Sequence, residues 1–190
     1  RKPCDVRVIT PNAFSYGSDG TRPRWEKIER LFLRLDNKIW FGTFPSEVRP
    51  EFVCNESLSL ISRYCANTKL QFGAQSGSDA VLSRLRRGHT VTDVIAAVEL
   101  CRDNGITPVV DFILCLPFET DEDQQATVRL IEWVARDGMV HAHRFMPLPG
   151  TALAGTVPRP LLPATAHLCG KLALSGRLTG SWTEPQPRFF

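Results

Sequence analysis

The chain has 190 residues, of which 43% are hydrophobic and 23% charged, enough apolar material for one domain with a core and too much for a disordered segment. Its formal net charge of +3 permits an anionic ligand without demanding nucleic acid. Its longest apolar stretches fall well short of the roughly 20 residues a membrane helix needs, and no segment reads as a signal peptide. The expected location is therefore cytoplasmic, with no membrane partner.

Chain order gives strands alternating with helices. Asp5 to Thr10 contains Val6, Val8 and Ile9 and predicts a short buried strand. Pro11 to Thr21 is a Gly/Ser/Asn-rich loop. Pro23 opens a helix in which Ile28, Leu31, Phe32 and Leu35 recur at helical spacing. Lys38 to Phe44 is aromatic and β-branched and reads as a second strand, ended by Pro45. Pro50 starts the next helix, with Val53, Leu60, Ile61 and Tyr64 on one face. Lys69 to Ala74 is a third strand, and Ser78 after it can cap a helix carrying Val81, Leu82 and Leu85.

Thr90 and Asp93 form a capping-box-like pair. The helix they head carries Val94, Val98 and Cys101 and ends at Gly105. Ile106 to Leu116 is the clearest strand. Thr120, followed by Asp121, Glu122 and Asp123, heads an acidic first turn that complements the helix dipole. Met139 to Met146 is a fifth strand. A proline-rich link, a helix near Ala164 to Leu174 and a short tail complete the chain. This alternation predicts an α/β fold with a parallel sheet, and five strands fit part of a (β/α) barrel. A doubly wound sheet is the competitor, disfavoured because no glycine-rich phosphate loop follows the first strand.

Six cysteines, Cys4, Cys54, Cys65, Cys101, Cys115 and Cys169, are scattered, and no two are two or three residues apart. That spacing excludes a zinc knuckle or a local cluster-binding loop. It predicts reduced, mostly buried thiols. In a parallel barrel, ligands meet the carboxyl ends of the strands. The polar residues there are Thr10 and Asn12; Ser46, Glu47 and Arg49; Gln75, Ser76 and Ser78; Asp111 and Glu119; and His143 and Arg144. His141 and His143 share one strand face without an evident third metal ligand, so no metal site is expected. His89 reads as a surface residue at a helix end. Arg84, Arg86 and Arg87 read as a solvated helix face, and Trp25, Trp40 and Trp133 as packing residues.

Three blocks carry a resemblance. Gln75-Ser76-Gly77-Ser78-Asp79-Ala80-Val81-Leu82 with Arg87-Gly88-His89-Thr90 resembles a QSGSDxVLxxMxRGxT block of methylthiotransferase-type radical S-adenosylmethionine (radical SAM) enzymes. Asp111 to Thr120 is similar to the strand and GlPgET turn of the wider superfamily. His143 to Thr151 resembles its sixth strand and the following xPGT turn. Thr10 to Gly17, Phe44 to Pro50 and Leu178 to Trp182 are most similar to radical SAM proteins that carry a cobalamin-binding domain.

The resemblance implies strands two to six of a partial (β/α)6 TIM-like barrel in residues 1–155, with a C-terminal helix and tail over 156–190 packing on it. It implies a fragment, beginning at Arg1, whose first strand and CxxxCxxC loop lie upstream. It implies an enzyme that reductively cleaves S-adenosylmethionine at a [4Fe–4S] cluster, fed by an electron donor such as flavodoxin or ferredoxin. The substrate is a small molecule or unknown, nucleic acid is not expected, and cobalamin would enter through a further N-terminal domain.

By position in the family's motifs, Asn12 would approach the methionyl amino group. Glu47 and Arg49 would handle ribose or carboxylate, as would Gln75 and Ser76. Ile113, the turn to Glu119 and the segment around Met146 would flank the adenine. Cys115 and Phe118 stand where the family's turn has glycine, which permits positive φ or close approach. These departures motivate the alternative of a degenerate barrel acting as a nucleotide-binding or interaction module. An aldolase-type barrel would need a lysine at a strand's carboxyl end, and Lys38 and Lys69 sit at strand starts.

Overall fold

A computed structural model describes residues 4–183. Among the described residues, six strands and six α-helices follow in the order β1 Val6–Arg7, α1 Trp25–Phe32, β2 Ile39–Trp40, α2 Asn55–Tyr64, β3 Lys69–Gln75, α3 Asp79–Arg84, α4 Val91–Asp103, β4 Thr107–Leu114, α5 Asp121–Asp137, β5 Met139–Arg144, α6 Pro163–Leu174 and β6 Leu178–Thr179. The sheets run in the order β1-β2 and β3-β4-β5-β6, with parallel pairing of β1 to β2 and of β5 to β6. Parallel neighbours need a crossover, and each is supplied by a helix.

All five predicted strands form. β1 and β2 are shorter than read, because the chain leaves regular pairing before Thr10 and after Trp40 to build rim loops. β2 still reaches β3 beyond its last paired residue: the Gln71 N–H donates to the Gly42 carbonyl at 2.8 Å and the Val48 N–H to the Gln71 carbonyl at 2.9 Å. The sixth strand corrects the expectation of a plain tail. Leu178 is buried and registers with Val140, Thr179 registers with His141, and Gly180 at φ +101° passes against the Ala142 carbonyl. A Cβ would collide with that carbonyl, so the close approach depends on glycine.

Contacts divide the chain into two compact units, Arg1–Gly73 with Thr92–Val109, and Ala74–Val91 with Val110–Phe190. In the first, an aromatic core forms where the periodic residues of α1 and α2 meet. Phe32 lies edge-on to Phe41 at 4.9 Å and tilted to Tyr64 at 5.8 Å, while Phe14 meets Trp25 edge-on at 5.5 Å. Such pairs add to the burial of large apolar rings. In the second, Leu130, Ile131 and Val134 form the buried stripe of α5, and α6 lies against α5 and β6. Thr120 caps α5 as the sequence indicates: its hydroxyl accepts from the Asp123 N–H at 3.2 Å, and Asp123 Oδ2 accepts from the Thr120 N–H at 2.9 Å.

Candidate active site

In the first unit, the loops after β1 and β2 are knitted together. The Ser46 hydroxyl donates to the Thr10 carbonyl at 3.0 Å, the Ala13 N–H to the Glu47 carbonyl at 3.2 Å, and the Arg49 N–H to Asn12 Oδ1 at 3.3 Å. Asn12 is buried, so its side chain fixes the rim rather than lying loose on it. Arg49 pairs with Glu51 at 2.5 Å and lies 6.0 Å over the Phe52 ring, and both members of the ion pair are partly buried. Three of the predicted residues, Asn12, Glu47 and Arg49, therefore do share one rim. Glu51 was missed in the sequence because it falls in the 3-10 turn Pro50–Phe52 that replaces the expected first turn of α2.

In the second unit, the carboxyl ends of β3 and β4 share an unusual backbone. Gln75, the last residue of β3, and Cys115, the first after β4, both lie at φ +67°. Neither is glycine, and such left-handed residues store about 1–3 kcal/mol each where the surroundings hold them. The residues that follow Gln75 are anchored on α5. Ser76 is fully buried, its Oγ 3.2 Å from Thr127 Oγ1, while Thr127 Oγ1 accepts from the Gly77 N–H at 2.9 Å and donates to the Asp123 carbonyl at 3.0 Å. The Ser78 hydroxyl donates to Asp123 Oδ1 at 2.5 Å. The Gln75-Ser76-Gly77-Ser78 turn is thus tied to the first turns of α5. Thr127 is the hub, and its position within a helix gave no sequence signal.

Glu119 closes the turn after β4. It is buried, and its Oε2 accepts from the Leu116 N–H at 3.0 Å. Burial pushes its carboxyl up to about 7, against the opposing pull of that backbone N–H and of Arg159. Nearby Cys115 is buried, its carbonyl accepts from the Arg159 N–H at 3.1 Å, and its thiol is raised by desolvation. Ile113 is half-buried on β4, and Met146 follows the Phe145 N–H, which donates to the Leu114 carbonyl at 2.7 Å.

The two departures in the turn differ in kind. Cys115 does occupy a positive-φ position. Phe118 does not, and its ring instead receives the Arg84 guanidinium at 4.4 Å. Arg84 is therefore a stacked group rather than a purely solvated one. His89 also departs from its reading: it is 5% exposed, with Nε2 3.2 Å from the Ala74 carbonyl, a contact made across 15 residues.

On β5, His143 Nε2 lies 2.8 Å from His141 Nε2, and His141 Nδ1 lies 2.8 Å from Thr179 Oγ1. Burial and the neighbouring imidazole hold His141 below its ordinary value.

The cysteines do not fit an iron–sulfur cluster. Among the described residues, no three His, Cys, Asp or Glu side chains gather to hold a metal. Burial pushes Cys65 and Cys101 up to about 12 and Cys169 to about 11, opposite to the thiolates a cluster requires. Among the described residues, too, no helix is long and apolar enough to cross a membrane.

The family model "Radical SAM superfamily" matches residues 8–131. A tRNA-2-methylthio-N(6)-dimethylallyladenosine synthase of Geobacter sulfurreducens is 38% identical over 162 residues, covering 80% of this chain and 34% of that protein. A threonylcarbamoyladenosine tRNA methylthiotransferase of Thermotoga maritima is 40% identical over 84 residues, 43% of this chain and 19% of its own. The chain thus spans about a third, or less, of these relatives.

Among solved structures, the radical S-adenosylmethionine methyltransferase TsrM of Kitasatospora setae, described with cobalamin and a [4Fe-4S] cluster bound, superposes with a TM-score of 0.60 at 20% identity. It covers 79% of this chain and 29% of that one. Methylornithine synthase (PylB) gives 0.58 at 20% identity, covering 92% and 48%. These likenesses establish the α/β fold as a partial TIM-like barrel. By its family match and its ordered motif blocks, the chain belongs to the radical SAM superfamily.

Proposed function

We propose that this chain is the adenosyl-binding part of a radical SAM enzyme, with the cluster held by residues other than those described. The observation that carries the reading is the turn after β4. A left-handed Cys115 and a buried Glu119 fold the backbone back on itself, with Ile113 and Met146 beside it, which presents backbone polar groups and apolar surface suited to a purine. In the first unit, a ligand carboxylate would compete with Glu51 for the Arg49 guanidinium, with Asn12 and Glu47 on the same rim.

Gln75 and Ser76 divide in role. Gln75 is the ligand-facing candidate, whereas the Ser76 hydroxyl is used inside the protein. The cluster, when present in such enzymes, supplies the electron that cleaves the sulfonium. This chain's residues bind, orient and keep water out. A flavodoxin- or ferredoxin-type donor follows from that need. The substrate is one on which radical chemistry is started, and relatives named for tRNA modification make RNA a candidate for it, against the expectation of no nucleic acid. The TsrM likeness keeps cobalamin, on a further domain, within it.

Calorimetry with S-adenosylmethionine on the cluster-free chain tests the proposal. Saturable binding is expected, weakened about tenfold or more by Arg49→Ala, the effect of losing a charged hydrogen bond. No heat of binding to the folded chain would overturn it.

A further inference from the structure

The two imidazoles of β5 take no part in the adenosyl reading, yet their geometry is specific. His141 and His143 are i, i+2 on a strand and so project from one face. Both are half-buried, with ring centroids 4.5 Å apart and planes at 78°, so their edges converge. The converging atoms are the two Nε2 nitrogens, 2.8 Å apart. Two neutral imidazoles can meet this closely in two ways: one donates a proton to the other, or both turn lone pairs toward a common cation.

The surroundings serve the second arrangement. His141 Nδ1 meets the Thr179 hydroxyl at 2.8 Å. A hydroxyl both donates and accepts, so Thr179 Oγ1 can accept from Nδ1–H, the tautomer that leaves His141 Nε2 bare. An oriented outer partner of this kind is what fixes the tautomer of a ligating histidine. Its placement is built into the fold: Thr179 registers with His141 across the β5–β6 pair, and that pairing is closed by the glycine contact of Gly180 with Ala142. Thr179 is exposed, so the site opens to solvent.

We propose that His141 and His143 form a chelate for a divalent transition cation of the nickel or copper class. Nitrogens bound at about 2.0–2.1 Å and separated by this distance subtend about 86° at the metal, the angle of cis ligands in tetragonal or octahedral geometry. A tetrahedral zinc site would need the nitrogens about 3.3 Å apart. Two protein nitrogens leave the remaining positions to water or to an anionic oxygen ligand.

The test is titration of the full chain with Ni2+ alone, in a non-coordinating buffer with a phosphine reductant, followed by calorimetry and by imidazole signals in proton NMR. One ion per chain is expected, with paramagnetic shifts on both imidazoles. His141→Gln and His143→Gln should each weaken binding at least tenfold, and Thr179→Val several-fold, while Cys4→Ser, which removes the exposed thiol, changes nothing. Circular dichroism and thermal melts identify any variant that fails to fold, and the imidazole shifts in the unaltered chain then decide. Absence of binding, binding indifferent to His143→Gln, or loss on Cys4→Ser would overturn the assignment and leave a hydrogen-bonded histidine pair.

Discussion

Gly77→Ala should destabilise the chain by about 3 kcal/mol or more, from overpacking against backbone and the hydrogen bonds it breaks. The origin is steric. A Cβ on Gly77 would lie 2.5 Å from the Ala126 carbonyl oxygen and 2.6 Å from the Thr127 Cα. Both are backbone atoms of α5, which cannot swing aside as a flexible side chain can, so the turn after β3 must lift off the helix. Lifting it breaks the Gly77 N–H bond to Thr127 Oγ1 and strands the buried Ser76 hydroxyl. Thr127→Val separates the two contributions. It keeps the shape, removes the shared hydroxyl and should cost about 1–3 kcal/mol. Urea unfolding of both variants measures this, and a Gly77→Ala loss no larger than that of Thr127→Val would show that the close approach is not what holds the turn.

Glu119 gives the largest pH-linked effect below pH 8. Its folded-state carboxyl titrates at about 7, against an ordinary value of 4.5, and burial is the main cause. Between those values the folded chain holds a proton that the unfolded chain has released, so stability falls as pH rises. The full contribution is present below about pH 4.5, declines through the interval and is gone above 7. A shift of this size corresponds to roughly 3 kcal/mol. Glu119→Gln keeps an oxygen acceptor for the Leu116 N–H without the titrating proton. The variant should match the parent near pH 4 and exceed it by up to about 3 kcal/mol near pH 8. Parallel stability-pH curves would contradict the assignment of this titration to Glu119.

Much of the scaffold was legible because its signals are local. Thr120 was read as the start of an acid-headed helix, and it does cap α5, in a box with Asp123 three residues on. Ser78 was read as a cap and accepts from the Val81 N–H at 3.4 Å. What escaped depended on distant partners. β6 has two residues, too few for any periodicity, and exists because Gly180 can press against Ala142. His89 looked superficial because nothing within a helix turn of it reveals the Ala74 carbonyl that receives it.

The candidate site divides in the same way. Motif position brought Asn12, Glu47 and Arg49 to one rim. It also placed a glycine-type conformation at Cys115, correctly, and at Phe118, where the backbone does not need it. The structural use of Ser76 was invisible because its partner Thr127 lies 51 residues away.

The proposed function has the strand-end turns of this fold take an adenosyl group. Its most direct test is a backbone and methyl NMR map of the folded chain titrated with S-adenosylhomocysteine, which carries the same adenosyl group without the reactive sulfonium. Progressive, saturable shifts at Ile113, Leu116, Glu119 and Met146, with little change on the helices' outer faces, are the predicted result. Shifts confined to other surfaces, or none at all with the chain demonstrably folded, would contradict it.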